Sequence, residues 1–521
     1  MKSGFFFISI MLLAILKGNA RQPPNIIVFL VDDMGWVDSS VPFYNSIVPL
    51  NKRYHTPHMQ RLAAEGVKFT NAYAAPVCTP SRTAMLSGMS PARLHITNWT
   101  WHSKNTNTDE ADEQFAAPHW NVNGLSPAPG MENTAYATPF PLLLKEAGYY
   151  TIHVGKAHWG AMGTPGVNPY NMGFMVNVSG HAAGAPQSYW PQQRYGNMPG
   201  KAQPNAVPDL EEYYDTNTFL TEALTREALK ALENPISRKE PFYLNMCHYA
   251  VHTPIMADSR FVQKYYKAGL DSVEARYASL LEGMDKSLGD IMDYLKKKEI
   301  DKNTIIIFMS DNGGLDHHER GGAANTHNYP LRSGKGSVYE GGIRVPMMVK
   351  WPGVAKAGSI NQHPVIIEDF FPSILQMAGV NHTRTSQQAD GQSFVSLLSH
   401  PQLPQAERPL IFHYPHKWIG ISKEEETRLG INYYSAMRYG KWKLIYQMRS
   451  QSFELYDLST DLKEANNMAS SHKEIVKKLA IIFGKVLKER SAQMPIEKST
   501  GRAVPFPDEK VEKGNSLVTK R

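Results

Sequence analysis

Asn25-Ile26-Ile27-Val28-Phe29-Leu30-Val31 is an unbroken apolar and β-branched run, and Asp32-Asp33 follows it at once. A run without polar alternation suits a strand buried on both faces, which places it in a parallel sheet covered by helices. In open α/β sheets ligands bind beyond the carboxyl ends of the strands, so the two acids stand where a site is expected. Adjacent carboxylates repel each other unless a cation lies between them. A single Asp there would read as a turn residue or a helix cap; the pair reads as metal ligation. The pattern returns at Thr304-Ile305-Ile306-Ile307-Phe308-Met309-Ser310, which ends in Asp311-Asn312-Gly313-Gly314. Two distant strands ending in acids or amides fit convergence on one centre. Asp32, Asp33, Asp311 and Asn312 offer oxygen only, the ligand set of a hard cation, Ca²⁺ or Mg²⁺.

Outward from these strands the elements keep alternating. Thr56 to Gly66 reads as a capped helix closed by a glycine, and Val67 to Tyr73 as a strand. Tyr149 to Gly155, Pro241 to Cys247 and Ile343 to Trp351 read as further strands, and Asp209 to Leu232 carries a helical pattern. From Val273 to Leu295 apolar residues recur at three- and four-residue steps, one helix face turned to the core. Past Pro404 the character changes. Tyr434 to Tyr446 and Phe453 to Leu458 read as antiparallel strands, and Ile475 to Leu487 as a last amphipathic helix. The expected fold is α/β: a large, mostly parallel central sheet sandwiched by helices, then a smaller C-terminal α+β domain with an antiparallel sheet and a helix. The expected boundaries are 21–402 and 403–498, with a polar tail at 499–521 that frays.

At 521 residues and 42% hydrophobic, the chain can bury a large core and divide into two domains. Charged residues make up 20% with no long single-sign run, a globular composition. The net charge of +7 could favour polyanionic substrates, but no basic stripe with interleaved aromatics points to nucleic acid. Lys2, the apolar run Phe5 to Leu16 and the small residues Gly18-Asn19-Ala20 read as a cleaved secretory signal over 1–20. No later stretch reaches about eighteen apolar residues, so no transmembrane segment is expected and the protein is expected to be periplasmic or secreted. An exported chain would ordinarily pair its 2 cysteines, Cys78 and Cys247. The surroundings of Cys78 argue for another fate.

Those surroundings are Cys78-Thr79-Pro80-Ser81-Arg82-Thr83-Ala84-Met85-Leu86-Ser87-Gly88. Pro80 suits the first turn of a helix, so Cys78 would face unpaired N–H groups at a helix start, where an anion is stabilised and Arg82 can add donors. Cys-x-Pro alone reads as a buried structural cysteine. The full run Cys78-x-Pro80-Ser81-Arg82-x-x-x-Leu86-x-Gly88 resembles the signature of the type I, formylglycine-dependent sulfatases of the alkaline-phosphatase-like superfamily. Gly148-Tyr149-x-Thr151-x-x-x-Gly155-Lys156-x-His158 is similar to that family's second signature. His252-x-Pro254 resembles the segment bearing its catalytic histidine, and Leu331-Arg332-x-Gly334-Lys335-x-x-x-x-Glu340-Gly341-Gly342 its lysine loop. Outside these motifs, His317, His318 and Arg320 are candidates for reading a sugar or for a surface role. Trp99, Trp101 and Trp120 lie in an irregular stretch, Asn98 to Tyr136, where rings could stack on sugars or pack.

The resemblance implies an arylsulfatase-like, bacterial carbohydrate sulfatase in which Cys78 is oxidised to formylglycine by a formylglycine-generating or anaerobic sulfatase-maturing enzyme. It implies one Ca²⁺ held by Asp32, Asp33, formylglycine 78, Asp311 and Asn312. A sulfate ester is already anionic, so attack on sulfur needs preorganised positive charge, here the metal with Arg82, Lys156 and Lys335. By the same resemblance a hydroxyl at position 78 attacks sulfur, and His252 with Lys335 protonates the leaving alcohol. His158 then takes a proton from the second hydroxyl, so that sulfate departs. Lys156, His252 and Lys335 would bind a sulfated saccharide of galactan or glycosaminoglycan type. A phosphonate monoester or phosphodiester hydrolase of the same superfamily is the alternative, since it shares Cys-x-Pro-x-Arg and an oxygen-rich metal site.

Overall fold

A computed structural model describes residues 22–103, 112–201, 203–316, 320–321, 327–381, 384–418 and 421–516. The segment read as a signal, and His317 and His318, lie outside the described residues. A nine-stranded sheet forms the centre, from β1 (Asn25–Val31), β2 (Val67–Tyr73), β3 (Tyr150–Gly155), β4 (Val176–Val178), β5 (Phe242–Cys247), β6 (Thr304–Ser310), β7 (Arg344–Lys350), β8 (Ser359–Asn361) and β9 (Val365–Ile366). The strand order is β8-β2-β7-β6-β1-β5-β3-β4, with β9 also on β2. β7 runs antiparallel to β2 and β6, and the other pairs are parallel.

β1 shows why its sequence lacks alternation. Ile27, Phe29 and Val31 belong to one core, with the helices Leu220–Arg238 and Ser272–Lys297, while Ile26, Val28 and Leu30 belong to the other, with the helices Cys78–Ser87 and Phe370–Met377. Both faces are covered, so successive side chains must all be apolar. Each such side chain contributes about 1.5–3 kcal/mol on burial. The helix Ser272–Lys297 starts sharply because Asp271 accepts from the Val273 and Glu274 amides at 2.9 and 3.0 Å. Such a cap contributes about 1 kcal/mol.

Three departures from the sequence reading have local causes. The helix expected from Asp209 begins at Leu220, because Asp209 and Asp215 take left-handed backbone at φ 64° and 58° and break the preceding turns. The second sheet has four antiparallel strands, β10 (Leu410–Tyr414), β11 (Tyr434–Tyr439), β12 (Trp442–Gln447) and β13 (Ser452–Asp457). The tail expected to fray is instead held as far as its helix Pro507–Ser516. That helix lies on Lys473–Glu489, where Lys488 pairs with Asp508 at 2.7 Å and Glu509 at 3.0 Å.

Candidate active site

The carboxyl ends of β1, β3, β5 and β6 meet at one place. Each chain turn leaving these strands is fastened to its neighbour. The Asp32 amide donates to the Ala250 carbonyl (3.0 Å) and the Val251 amide to the Asp32 carbonyl (2.7 Å), which zips the segment before His252 to β1. Gly155 takes φ 94°, and a Cβ there would lie 1.9 Å from the Cys247 carbonyl oxygen, so only glycine lets β3 turn while the Lys156 amide donates to that oxygen at 2.8 Å. Asp33 and His158 adopt left-handed backbone at φ 60° and 57°. Such strain, of order 1 kcal/mol or more each, persists where surrounding contacts enforce it.

The charged groups interlock. Lys156 Nζ donates to Asp32 Oδ2 at 2.6 Å, Lys335 Nζ to Asp33 Oδ2 at 2.9 Å, and Arg82 Nε to Asp311 Oδ2 at 2.8 Å. Asn312 Nδ2 donates to Asp33 Oδ1 at 2.8 Å, and the Asp33 amide donates to Asp311 Oδ1 at 3.2 Å. Asp32, Asp33, Arg82, Lys156, Asp311 and Asn312 are all fully buried. Burial pushes Asp32 well above the carboxylate range; Lys156 opposes this, while Asp311 and Asp33 add to it. At Asp33 burial pulls the same way, but Lys335 and His252 outweigh it and hold the group below its ordinary value.

Oxygen is left over. Asp32 Oδ1 and Asn312 Oδ1 are buried and find no hydrogen-bond partner among the described residues. Two orphaned oxygens, on Asp32 and Asn312, beside the carboxylates of Asp33 and Asp311 are what a divalent cation with oxygen ligands requires, so the residues fit Ca²⁺ or Mg²⁺. His252 falls within the same cluster, its ligand atom lying within 4.8 Å of those of Asp32 and Asp33. Its Nε2 is already engaged by Lys335 Nζ at 3.1 Å.

Two histidines have their tautomers set by carbonyls. His252 Nδ1 lies 2.9 Å from the Thr253 carbonyl oxygen, which can only accept, so Nδ1 carries the proton and Nε2 offers its lone pair to Lys335. Tyr189 steadies that segment by donating to the Tyr249 and His252 carbonyls at 2.7 and 2.9 Å. His158 Nε2 lies 2.8 Å from the Thr100 carbonyl oxygen, so its Nδ1 lone pair faces Cys78 Sγ at 3.3 Å. Burial, then Lys335, pushes His252 down to about 3; burial, then Lys156, holds His158 well below its ordinary value. Both rings are therefore neutral acceptors near pH 7. Burial pushes the Cys78 thiol up against the pull of Lys156 and Lys335, so an unmodified Cys78 is a thiol rather than a thiolate.

Cys78 stands at the first turn of the helix Cys78–Ser87, as its sequence suggests. Its sulfur opens on a cavity of about 550 Å³ whose lining includes His158, His252, Lys335, Trp99, Trp101 and Trp418. Arg82 and Lys156, expected to face the substrate, do not line it. The Arg82 guanidinium is committed to Asp311 and to the Lys156 carbonyl (2.7 Å), and the Lys156 ammonium to Asp32. Arg320 does not line the cavity either: it is buried against Glu274 (2.7 Å) and stacked 3.4 Å from the Tyr277 ring centroid. Trp120 is buried with its ring 5.2 Å from His416, whereas Trp99 and Trp101 reach the cavity. Trp418 was beyond the sequence reading, since it sits in the second domain with no motif around it. Both cysteines are unpaired.

Known proteins are similar to this chain over most of its length. A family model described as Sulfatase matches residues 24–380, and one described as N-sulphoglucosamine sulphohydrolase, C-terminal, matches residues 333–490. A sulfatase of Formosa agariphila is 30% identical over 504 residues, spanning 88% of this chain and 86% of its own. The human N-acetylgalactosamine-6-sulfatase is 31% identical over 445 residues, spanning 80% and 75%. The crystal structure of Ps i-CgsB superposes with a TM-score of 0.70 at 25% identity over 96% of this chain and 98% of that one, and the same protein has been solved in complex with k-i-k-neocarrahexaose. With a cysteine at the helix start, the interlocked acids and cations, and a match across most of its length, this chain belongs to the sulfatase family and is a sulfuric ester hydrolase.

Proposed function

We propose that this sulfatase removes sulfate from a sulfated saccharide, of galactan or glycosaminoglycan type, with a formylglycine made from Cys78 by a maturing enzyme and one Ca²⁺ held by Asp32, Asp33, Asp311, Asn312 and position 78. The cavity carries this reading: indoles Trp99, Trp101 and Trp418 line the same space as Cys78, His252 and Lys335. Its volume of about 550 Å³ lies within the range of small-ligand sites. Indole faces suit the apolar faces of sugar rings, and Lys335 suits a sulfate. The names of the relatives, N-acetylgalactosamine-6-sulfatases, and the neocarrahexaose in the Ps i-CgsB complex support a saccharide. We further propose that the enzyme works outside the cytoplasm, periplasmic or secreted.

When present, the aldehyde hydrate would supply a hydroxyl nucleophile and the metal would offset the charge of the ester. The side chains do the remainder. Lys335 Nζ binds the sulfate, and the proton shared between Lys335 Nζ and His252 Nε2 goes to the leaving alcohol. His158 Nδ1, with its ring held by Thr100, takes a proton from the group at position 78. Arg82 and Lys156 hold Asp311 and Asp32 in place by the contacts at 2.8 and 2.6 Å. The three carboxylates and three cations balance, so a divalent ion leaves the site positive toward an anionic ester. The test is kcat/KM measured side by side on sulfated N-acetylgalactosamine and galactose saccharides, an aryl sulfate and the monoester 4-nitrophenyl phenylphosphonate. Sulfate release from a saccharide is expected to dominate. Faster turnover of 4-nitrophenyl phenylphosphonate would make the phosphonate hydrolase the correct reading.

A further inference from the structure

A second cleft, about 760 Å³, lies between the β8-β2 end of the central sheet and the C-terminal sheet, and shares no lining residue with the Cys78 cavity. Its walls carry five cations, Lys68, Arg344, Arg408, Arg438 and Lys441, against one acid, Glu407. Three of the cations are answered from behind: Arg344 by Glu340 (3.1 Å), Arg408 by Asp369 and Lys441 by Asp457 (2.6 Å). Lys68 and Arg438 have no carboxylate at ion-pair distance among the described residues. Lys68 Nζ donates to the Pro42 carbonyl, and Arg438 to the Tyr73 hydroxyl and the Gly440 carbonyl. Arg344 and Arg438 are only 6% and 8% exposed, so this is charge built into a wall rather than a solvated surface.

Two donors in the same walls are also unanswered. The Trp36 indole Nε1, on a residue 1% exposed, and Arg408 Nε are buried without hydrogen-bond partners among the described residues. His363 adds no negative charge, and burial, then Arg408, lowers its imidazole below its ordinary value. Buried cations and unpaired donors are costly unless an anion with several acceptor oxygens meets them, and guanidinium forks match such oxygens.

We propose that this cleft is a second, non-catalytic binding site for the ester sulfates of a saccharide chain. It would hold a polymer to the enzyme while the Cys78 cavity works on another of its residues. The assignment rests on the saccharide reading of the catalytic site. Two-point attachment raises the effective concentration of the chain without any new contact at the site of reaction.

Affinity electrophoresis through gels containing dextran sulfate reads the cleft whether or not a given saccharide is turned over. Unsulfated dextran, polyglutamate and sodium sulfate serve as the other arms. Wild-type protein should be retarded by dextran sulfate. Lys68→Glu and Arg408→Gln, each checked for an unchanged thermal midpoint, should bind about tenfold more weakly, the loss of one charge-assisted contact. Both should release sulfate from a sulfated monosaccharide at the wild-type rate. Retention unchanged in both variants overturns the proposal. So does equal retention by polyglutamate, which would mean charge alone, or full saturation by sodium sulfate with nothing gained from the polymer. Weakened retention in variants of a protein that hydrolyses no sulfated saccharide would uphold the cleft and sink the proposed catalytic function instead.

Discussion

The parts of the chain built on the two larger sheets both send residues to the catalytic cavity, but they contribute different things. Every charge of the site comes from segments of the central sheet domain: Asp32 and Asp33 after β1, Lys156 after β3, Asp311 after β6, Arg82 on the helix behind, and Lys335 before β7. The C-terminal sheet domain supplies none of them. It supplies an indole, Trp418, and a clamp on the lysine loop. The Ser333 and Ser337 hydroxyls donate to the Leu429 carbonyl, and the Tyr339 hydroxyl donates to Glu454 at 2.9 Å. Lys443, fully buried on β12, lies between Glu340 (3.0 Å) and Glu464 (2.7 Å). Gly336 has φ 84°, and a Cβ there would lie 2.9 Å from the Trp418 ring. The lesson is a division of labour. Groups that move protons or hold a metal need the positional accuracy of strand ends. Groups that select a substrate can arrive on a later sheet, provided the loop between is locked.

Substitutions on the two sides should therefore differ in size and in kind. The largest effect belongs to the central sheet: Cys78→Ala should cut kcat by at least about 10⁴-fold. Mass spectrometry of active protein should find an aldehyde at position 78, and a thiol there at full activity would end the formylglycine proposal. Chelation should abolish sulfate release and lower the thermal midpoint, with Ca²⁺ restoring both. A chelated protein that keeps its full rate would show that the orphaned oxygens of Asp32 and Asn312 need no cation. His252→Asn should lower kcat by about 10²–10⁴-fold, with the loss greatest for substrates whose alcohol leaves poorly. An equal loss for an activated aryl sulfate would deny it the role of acid.

Across the interface the effects shrink and change character. Lys443→Met leaves buried Glu464 without its cation and Glu340 with Arg344 alone, and should lower stability by about 3–5 kcal/mol, read by denaturant titration. Adding Glu464→Gln should recover part of it, and a silent Lys443→Met would remove the clamp from this account. Trp418→Ala should be the mildest. It is expected to raise KM for a saccharide severalfold, roughly 1 kcal/mol, with kcat nearly unchanged. A fall in kcat with KM constant would place Trp418 in the chemistry and blur the contrast between the two sheets.

The uneven legibility of the chain follows from the same division. Asn25–Val31 and Thr304–Ser310 were readable because burial on both faces leaves an unbroken apolar run, and their acids were readable because nothing else belongs at such a strand end. The Cys78 helix start and the Lys156, His158 and Lys335 segments were readable as motifs. The part played by Arg82 was not. An arginine four residues from a nucleophile looks like an anion binder in one dimension. Only in three dimensions does Asp311, from a strand more than two hundred residues away in the chain, claim its guanidinium. Arg320 was open in one dimension between reading a sugar and a surface role, because Glu274 and Tyr277 that hold it lie on a helix distant in sequence.

What the sequence by itself determined is the set of reactive groups and the sheet that presents them, since strand burial and turn chemistry are local properties written in residue type and spacing. What only the tertiary structure decided is which way those groups face. It turned the lone pairs of His158 and His252 by means of two backbone carbonyls, drew Arg82 and Lys156 behind the cavity, and brought Trp418 and the cationic cleft to a second domain's boundary. Those outcomes depend on pairings between segments far apart in the chain. No periodicity or motif within either segment encodes them.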